Sequence, residues 1–285
     1  PLADRGRLEQ LVQGDAFPNA SVREAGDFVL LCRNGELPGA ADWSHAQANA
    51  ASTGASRDAF IHSPMAVLWF GAAQRWHKYP GQEQVRVSGG RVVILEEGVL
   101  RAYDVYTGRE HWRVEVPVGK KPLDDRRARQ AVRYQRHRQW GPPASLAPAT
   151  QLVAVDDAIY LSEGTTCRVF DPATGEPAGR VELPDEFDAP WSNLRVRDEY
   201  LVGSSGARVL CVNRHTGQLV WQTETTRPAM SVAVGDEQVY CAELADPRRG
   251  EDQRRDGRLF ALSLGTGQRV WQRAGGRRLR YCPEF

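Results

Sequence analysis

The chain has 285 residues, 41% of them apolar and 26% charged, with 37 Lys and Arg against 36 Asp and Glu. This composition suits a globular domain with a sizeable core, and it excludes a low-complexity disordered chain and a helical membrane span, which needs roughly 20 consecutive apolar residues. A net charge of +1 gives no global attraction to nucleic acid or anionic lipid and argues against a nucleic-acid partner, so only local patches can argue for such binding.

In chain order, residues 21–33 read as a partial strand pair. Next comes Asp42-Trp43-Ser44-His45, followed by Asn49, Ser52 and Thr53, and residues 64–70 read as an outer strand that includes Trp69. Paired runs of β-branched and aromatic residues follow at 91–95 and 100–103, at 158–161 and 168–170, at 200–203 and 209–212, and at 238–242 and 259–262. Their alternation predicts short antiparallel strands, with any helix confined to 117–150.

After each pair stands the same turn. Ala102, Asp104, Thr107, Gly108 and Trp112 are matched by Val169, Asp171, Thr174 and Gly175, by Cys211, Asn213, Thr216, Gly217 and Trp221, and by Ala261, Ser263, Thr266, Gly267 and Trp271. The Asp, Asn or Ser side chain can accept a backbone N–H two residues on, and the Gly takes a positive φ. A recurring unit of some 40 residues marks a repeat architecture in which each unit buries its face on the next. The small residue placed nine or ten positions before a tryptophan predicts an indole lying across the junction between neighbouring sheets. The second copy has Gly179 where the tryptophan belongs, which predicts a loose interface there.

The pattern Ala-x-Asp-x-x-Thr-Gly-x-x-x-Trp at 102–112 resembles the tryptophan-docking motif of pyrroloquinoline-quinone-like (PQQ-like) β-propellers, and the 42–53 segment is similar to the opening segment of such propellers. The resemblance implies an all-β fold of four-stranded antiparallel blades in one domain over 1–285. The clear repeats are 84–116, 149–184, 195–226 and 230–273, with degenerate blades in 1–83 and an insertion at 117–148. About five or six blades are countable where the family commonly has seven or eight, so the ring is incomplete or closed by degenerate blades, and the chain is expected to be part of a longer protein. The inter-blade residues are then Trp112, Trp221, Trp271, Asp104, Thr107, Gly108, Asp171, Gly175, Asn213, Gly217 and Gly267.

The family contains quinoprotein dehydrogenases and non-catalytic assembly proteins. The catalytic branch implies a calcium-binding carboxylate and amide, an Asp base, a tryptophan floor and often two adjacent cysteines. Here Cys32, Cys167, Cys211, Cys241 and Cys282 are dispersed and read as free thiols, most of them in strands. Asp104 and Asp171 are committed to turns, and His45, His62, His77, His111, His137 and His215 show no metal-ligand spacing. The sequence therefore points to a non-catalytic binding or assembly platform with no cofactor and no metal, whose partner is a protein or the rest of a longer chain. The alternative is a fragment of a quinone-dependent alcohol or sugar dehydrogenase. The resemblance points toward bacteria and, for compartment, toward the envelope or periplasm over the cytoplasm.

Thr-Gly spacings of 67, 42 and 50 residues place insertions in the second and fourth units. The larger carries eight Lys or Arg against Asp124 and Asp125 between 120 and 138, with Leu123, Ala128, Ala131 and Tyr134 at helical spacing. It reads either as a solvated helix or as a recruitment patch built on Lys120, Lys121, Arg126, Arg127, Arg129 and Arg133. A recruitment patch binds an acidic partner with steep salt dependence. Changing Arg126, Arg127, Arg129 and Arg133 to Gln is then expected to abolish that binding in a salt titration and leave the melting temperature unchanged.

Overall fold

The computed structural model describes residues 5–14, 17, 19–33, 37, 39–60, 69, 84–96, 98–116, 150–187, 189–227, 229–243 and 257–274. A helix α1 (Arg5–Gln13) and a hairpin of β1 (Ala20–Ala25) and β2 (Phe28–Arg33) precede four sheets. Blade 1 contains β3 (Gln84–Ser88), β4 (Arg91–Glu96), β5 (Val99–Asp104) and β6 (Glu110–Glu115), and blade 2 contains β7 (Thr150–Val155), β8 (Ala158–Glu163), β9 (Thr166–Phe170) and β10 (Pro177–Glu182). Blade 3 contains β11 (Trp191–Arg197), β12 (Tyr200–Ser205), β13 (Arg208–Asn213) and β14 (Leu219–Glu224), and blade 4 contains β15 (Ala229–Val234), β16 (Gln238–Glu243), β17 (Arg258–Ser263) and β18 (Arg269–Ala274). Every blade is an antiparallel meander with its strands in chain order. The first strands β3, β7, β11 and β15 lie next to one another in succession and form the inner side. This is an all-β propeller architecture, and the described residues supply four consecutive blades.

Helix α1 corrects the expectation that helix is confined to the large insertion. Arg5 forms an i,i+4 ion pair with Glu9 and a second pair with Glu24 of β1, and no residue of α1 is buried. Leu8, Leu11 and Val12 stand at i, i+3 and i+4, but three apolar residues in a nine-residue helix, none of them buried, make too short a stripe to mark a helix by periodicity. The 117–149 insertion lies outside the described residues.

Strand alternation divides each blade between two interfaces. Ile159 and Leu161 join Val93, Leu100 and Trp112 in the cluster between blades 1 and 2. Their neighbours Ala158 and Tyr160 face the other way, joining Trp191, Leu194 and Leu201 between blades 2 and 3. Val202, Val209 and Cys211 then meet Val232, Val239 and Phe260 between blades 3 and 4. The middle strands are buried on both faces, which explains their near-continuous apolar runs, whereas the outer strands β6, β10, β14 and β18 are largely exposed.

The repeated turns have the expected chemistry. Asp104 Oδ1 accepts from the N–H of Tyr106 and Thr107 and from the Thr107 hydroxyl at 2.8–3.0 Å. Asp171 does the same for Ala173 and Thr174, and Asn213 for His215 and Thr216. Three of the four turn glycines, Gly108, Gly175 and Gly267, also serve as the seat of an indole from earlier in the chain. A Cβ on Gly175 would come within 2.5 Å of the Trp112 ring, and one on Gly267 within 2.6 Å of Trp221. Trp69 covers Gly108 in the same way. The indole N–H groups of Trp69, Trp112 and Trp221 donate to the carbonyls of Val105, Pro172 and Leu264, at 2.9, 3.0 and 2.6 Å. Those three carbonyls occupy one position, the residue after the Asp or Ser of the turn. Trp112 and Trp221 are buried, whereas Trp271 is only partly covered and lies beside Tyr240. Its strand is the outermost of the last described blade, so no further turn glycine lies against it among the described residues.

Trp112→Ala is expected to cost about 3–5 kcal/mol, the range for deleting a packed large aromatic. Gly217 is at φ +72° but has no atom of the described residues within 4 Å of a β-carbon. Gly217→Ala should therefore cost only the left-handed strain of roughly 1–2 kcal/mol, whereas Gly175→Ala adds overpacking of about 1–3 kcal/mol. Urea denaturation of the pair measures the difference.

Candidate functional site

Residues 42–54 form a strap that visits all four inner strands in order. Trp43 exchanges two backbone bonds with Val87 of β3, at 2.8 and 3.0 Å. The Ser44 carbonyl accepts from Ala154 of β7, His45 Nε2 accepts from Val196 of β11, and the Ala50 carbonyl accepts from Val234 of β15. Small residues permit the close approach: Ala48, Ala50 and Ser52 are buried. Ala48 and Ser52 stand at φ +68° and +57°, a conformation that costs a non-glycine residue of order 1–3 kcal/mol and survives only where surrounding bonds impose it.

Beneath the strap the inner strands carry polar side chains that reach to the next blade. Gln84 donates to the Thr150 carbonyl and accepts from Leu152 N–H, and Arg86 donates to the Leu152 carbonyl at 2.8 Å. Gln151 accepts from Leu194 N–H, and Asn193 donates to the Ala229 carbonyl. Arg195 donates from Nε and Nη2 to the Ser52 hydroxyl, tying blade 3 to the strap. Apart from the Arg195–Ser52 pair, these are side-chain-to-backbone bridges in place of a β-ladder.

His45 is buried at 1% exposure, and both ring nitrogens are engaged. Nε2 accepts from Val196, so Nδ1 carries the proton and donates to Ser44 Oγ at 2.8 Å. Burial, with Arg195 and Arg86 nearby, holds its pKa well below the usual histidine value. Arg86 is pulled down to about 10, by burial first and then by the like charge of Arg195. The thiols of Cys167 and Cys211 are each pushed up to about 12 by burial, and that of Cys241 is raised as well. None of the three is a thiolate at neutral pH. Cys282 lies outside the described residues.

The structure places the predicted inter-blade residues away from this network. Trp112, Trp221, Trp271 and the turns holding Asp104, Thr107, Gly108, Asp171, Gly175, Asn213, Gly217 and Gly267 belong to the outer strand pairs. The basic residues from Lys120 to Arg133 lie outside the described residues. Sequence reasoning missed Arg86, Arg195 and the role of His45, because a single polar side chain on a strand gives no sign of reaching the next blade. It also missed Trp191, which is buried over Gly203 between blades 2 and 3. Among the described residues no group of three or more His, Cys, Asp or Glu side chains is arranged to hold a metal ion, and no helix is long and apolar enough to cross a membrane.

Four-stranded meanders joined by indoles on Thr-Gly turns define a PQQ-like β-propeller. Residues 66–272 match the family described as outer membrane protein assembly factor BamB, and the chain belongs to that family. Solved structures similar to it include BamB from Moraxella catarrhalis, at 18% identity and a TM-score of 0.38 over 67% of this chain and 50% of that one. Others are the quinohemoprotein alcohol dehydrogenase ADHIIG from Pseudomonas putida HK5 (15%, 0.44, 68% and 34%) and the computationally designed Ika8 protein (15%, 0.46, 68% and 49%). The chain thus spans half or less of the length of these structures. No curated protein matches it.

Because His45 has a lower pKa folded than unfolded, the unfolded chain binds the extra proton as pH falls below the ordinary 6.5. Stability is therefore complete above that pH and declines below it, by up to about 1.4 kcal/mol per pH unit. The urea midpoint should drop between pH 6.5 and 5, and His45→Gln, which keeps an acceptor for Val196, should flatten that drop. Asp104, Asp157 and Asp171, whose pKa values are also lowered, act only further down, as pH falls through the ordinary carboxylate range.

Proposed function

We propose that this chain is a non-catalytic propeller serving as a binding or assembly platform for a protein partner. The reading is carried by the use made of the polar groups on the inner side. A general base or cofactor ligand must keep a lone pair or exchangeable proton for the reactant. His45 spends both ring nitrogens on Val196 and Ser44, while Arg86, Gln84 and Arg195 bond backbone or strap. These groups hold blades together, and a rigid array of blades is a surface for docking. The family's description as an assembly factor supports the same reading and favours the outer-membrane side of a bacterial envelope.

Calorimetry with pyrroloquinoline quinone and calcium tests the proposal. No submicromolar heat of binding is expected. Tight, calcium-dependent uptake would sink the platform reading and promote a quinone-dependent dehydrogenase fragment.

A further inference from the structure

Three of the four described turn glycines carry an indole, and the fourth does not. Gly217 of blade 3 should receive the ring from position 179 of blade 2, where the residue is Gly179. The register there is kept. Gly179 pairs with Val169 as Trp112 pairs with Ala102 and Trp221 with Cys211, with a one-residue bulge at the same place in each blade. The backbone therefore presents position 179 as it does the tryptophans, without the side chain.

The consequence is a cleft of about 260 Å³ lined by Tyr160, Val169, Gly179, Arg180, Arg214 and Gly217, among others. Its features repeat those of the filled seats. Among the described residues Gly217 has open space above it, where the equivalent glycines meet a ring. The carbonyl equivalent to those of Val105, Pro172 and Leu264 is that of Arg214, and it accepts no hydrogen bond among the described residues. Part of the lost adhesion is replaced to one side. The Arg214 guanidinium donates to both oxygens of Asp157, at 2.9 and 2.8 Å, and to the Tyr160 hydroxyl, which leaves the space over Gly217 clear.

We infer that this cleft is a vacant indole seat that takes a tryptophan side chain presented by an extended segment of a partner protein. The occupant follows from the three filled copies: a flat ring on the glycine, with its N–H on the carbonyl after the Asn. The outer strand β10 leaves residues 177–180 exposed, so a segment can approach from the side. That the partner is a protein rests on the platform reading; the indole chemistry does not.

The probe is N-acetyl-5-fluorotryptophanamide, followed by fluorine NMR against the full chain. Saturable binding with Kd on the order of 1 mM is expected, as befits one small ring without a supporting segment. The 1-methyl analogue, which cannot donate to Arg214, should bind roughly tenfold more weakly, the factor for about 1.4 kcal/mol. Gly179→Trp should raise the melting temperature and abolish binding, and Gly217→Val should abolish it without supplying a competing indole. Absence of saturable binding to the wild type overturns the inference, as does equal binding to both variants. A dimer dissociated by the probe would make the occupant a second copy and overturn the assignment to a partner. Quinone uptake would remove the platform reading but not the seat, so the two failures are distinguishable.

Discussion

Neighbouring blades share no backbone ladder. Each sheet pairs only its own strands, and backbone groups on the free edge of the inner strands are met by side chains of the next blade and by the strap, so cohesion between sheets depends on what can reach across a gap. The protein solves this twice. On the outer side an indole lies on a glycine of the next turn and donates to a carbonyl, which combines large apolar burial with a directional bond. On the inner side amides and guanidinium groups bond the backbone of the following strand. The outer device sets spacing and the inner one sets register. The glycine is obligatory at a filled seat for two reasons, since its φ is positive and a β-carbon would occupy the ring's place.

The outer device was written in the sequence and the inner one was not. Asp104, Thr107, Gly108 and Trp112 must recur at fixed offsets because one local geometry generates them, so repetition exposes both blade and turn. Gln84, Arg86, Asn193 and Arg195 act between strands far apart in the chain, and their partners are main-chain atoms, which leave no residue type to find. His45 was visible as one of six histidines and as a member of the 42–53 segment, without a sign of its role. Nothing about its neighbours announces that the Val196 N–H, over 150 positions away, needs its lone pair. The gap at Gly179 was legible, but its effect was incompletely foreseen. The sequence implied a loose interface, and the structure adds Trp191 and the Arg214–Asp157 pair at that junction. Trp191 brings a buried indole nitrogen with no hydrogen-bond partner among the described residues, a cost of about 1–3 kcal/mol that its apolar burial must exceed.

The strap also bears on how such a molecule comes together. A row of blades touching only their neighbours behaves as a one-dimensional array, able to nucleate anywhere and to fray from an end. Residues 42–54 do not fit that description. Ser52 meets Arg195 across 143 positions and His45 meets Val196 across 151, so the strap is synthesised before any described blade yet completes its bonds only when all four inner strands exist. Local meanders can form quickly, but closing loops of this length places the final step late and raises the contact order. Once closed, the strap couples the first described blade to the last, so that opening one junction strains the others. An array of separable parts becomes a single cooperative unit.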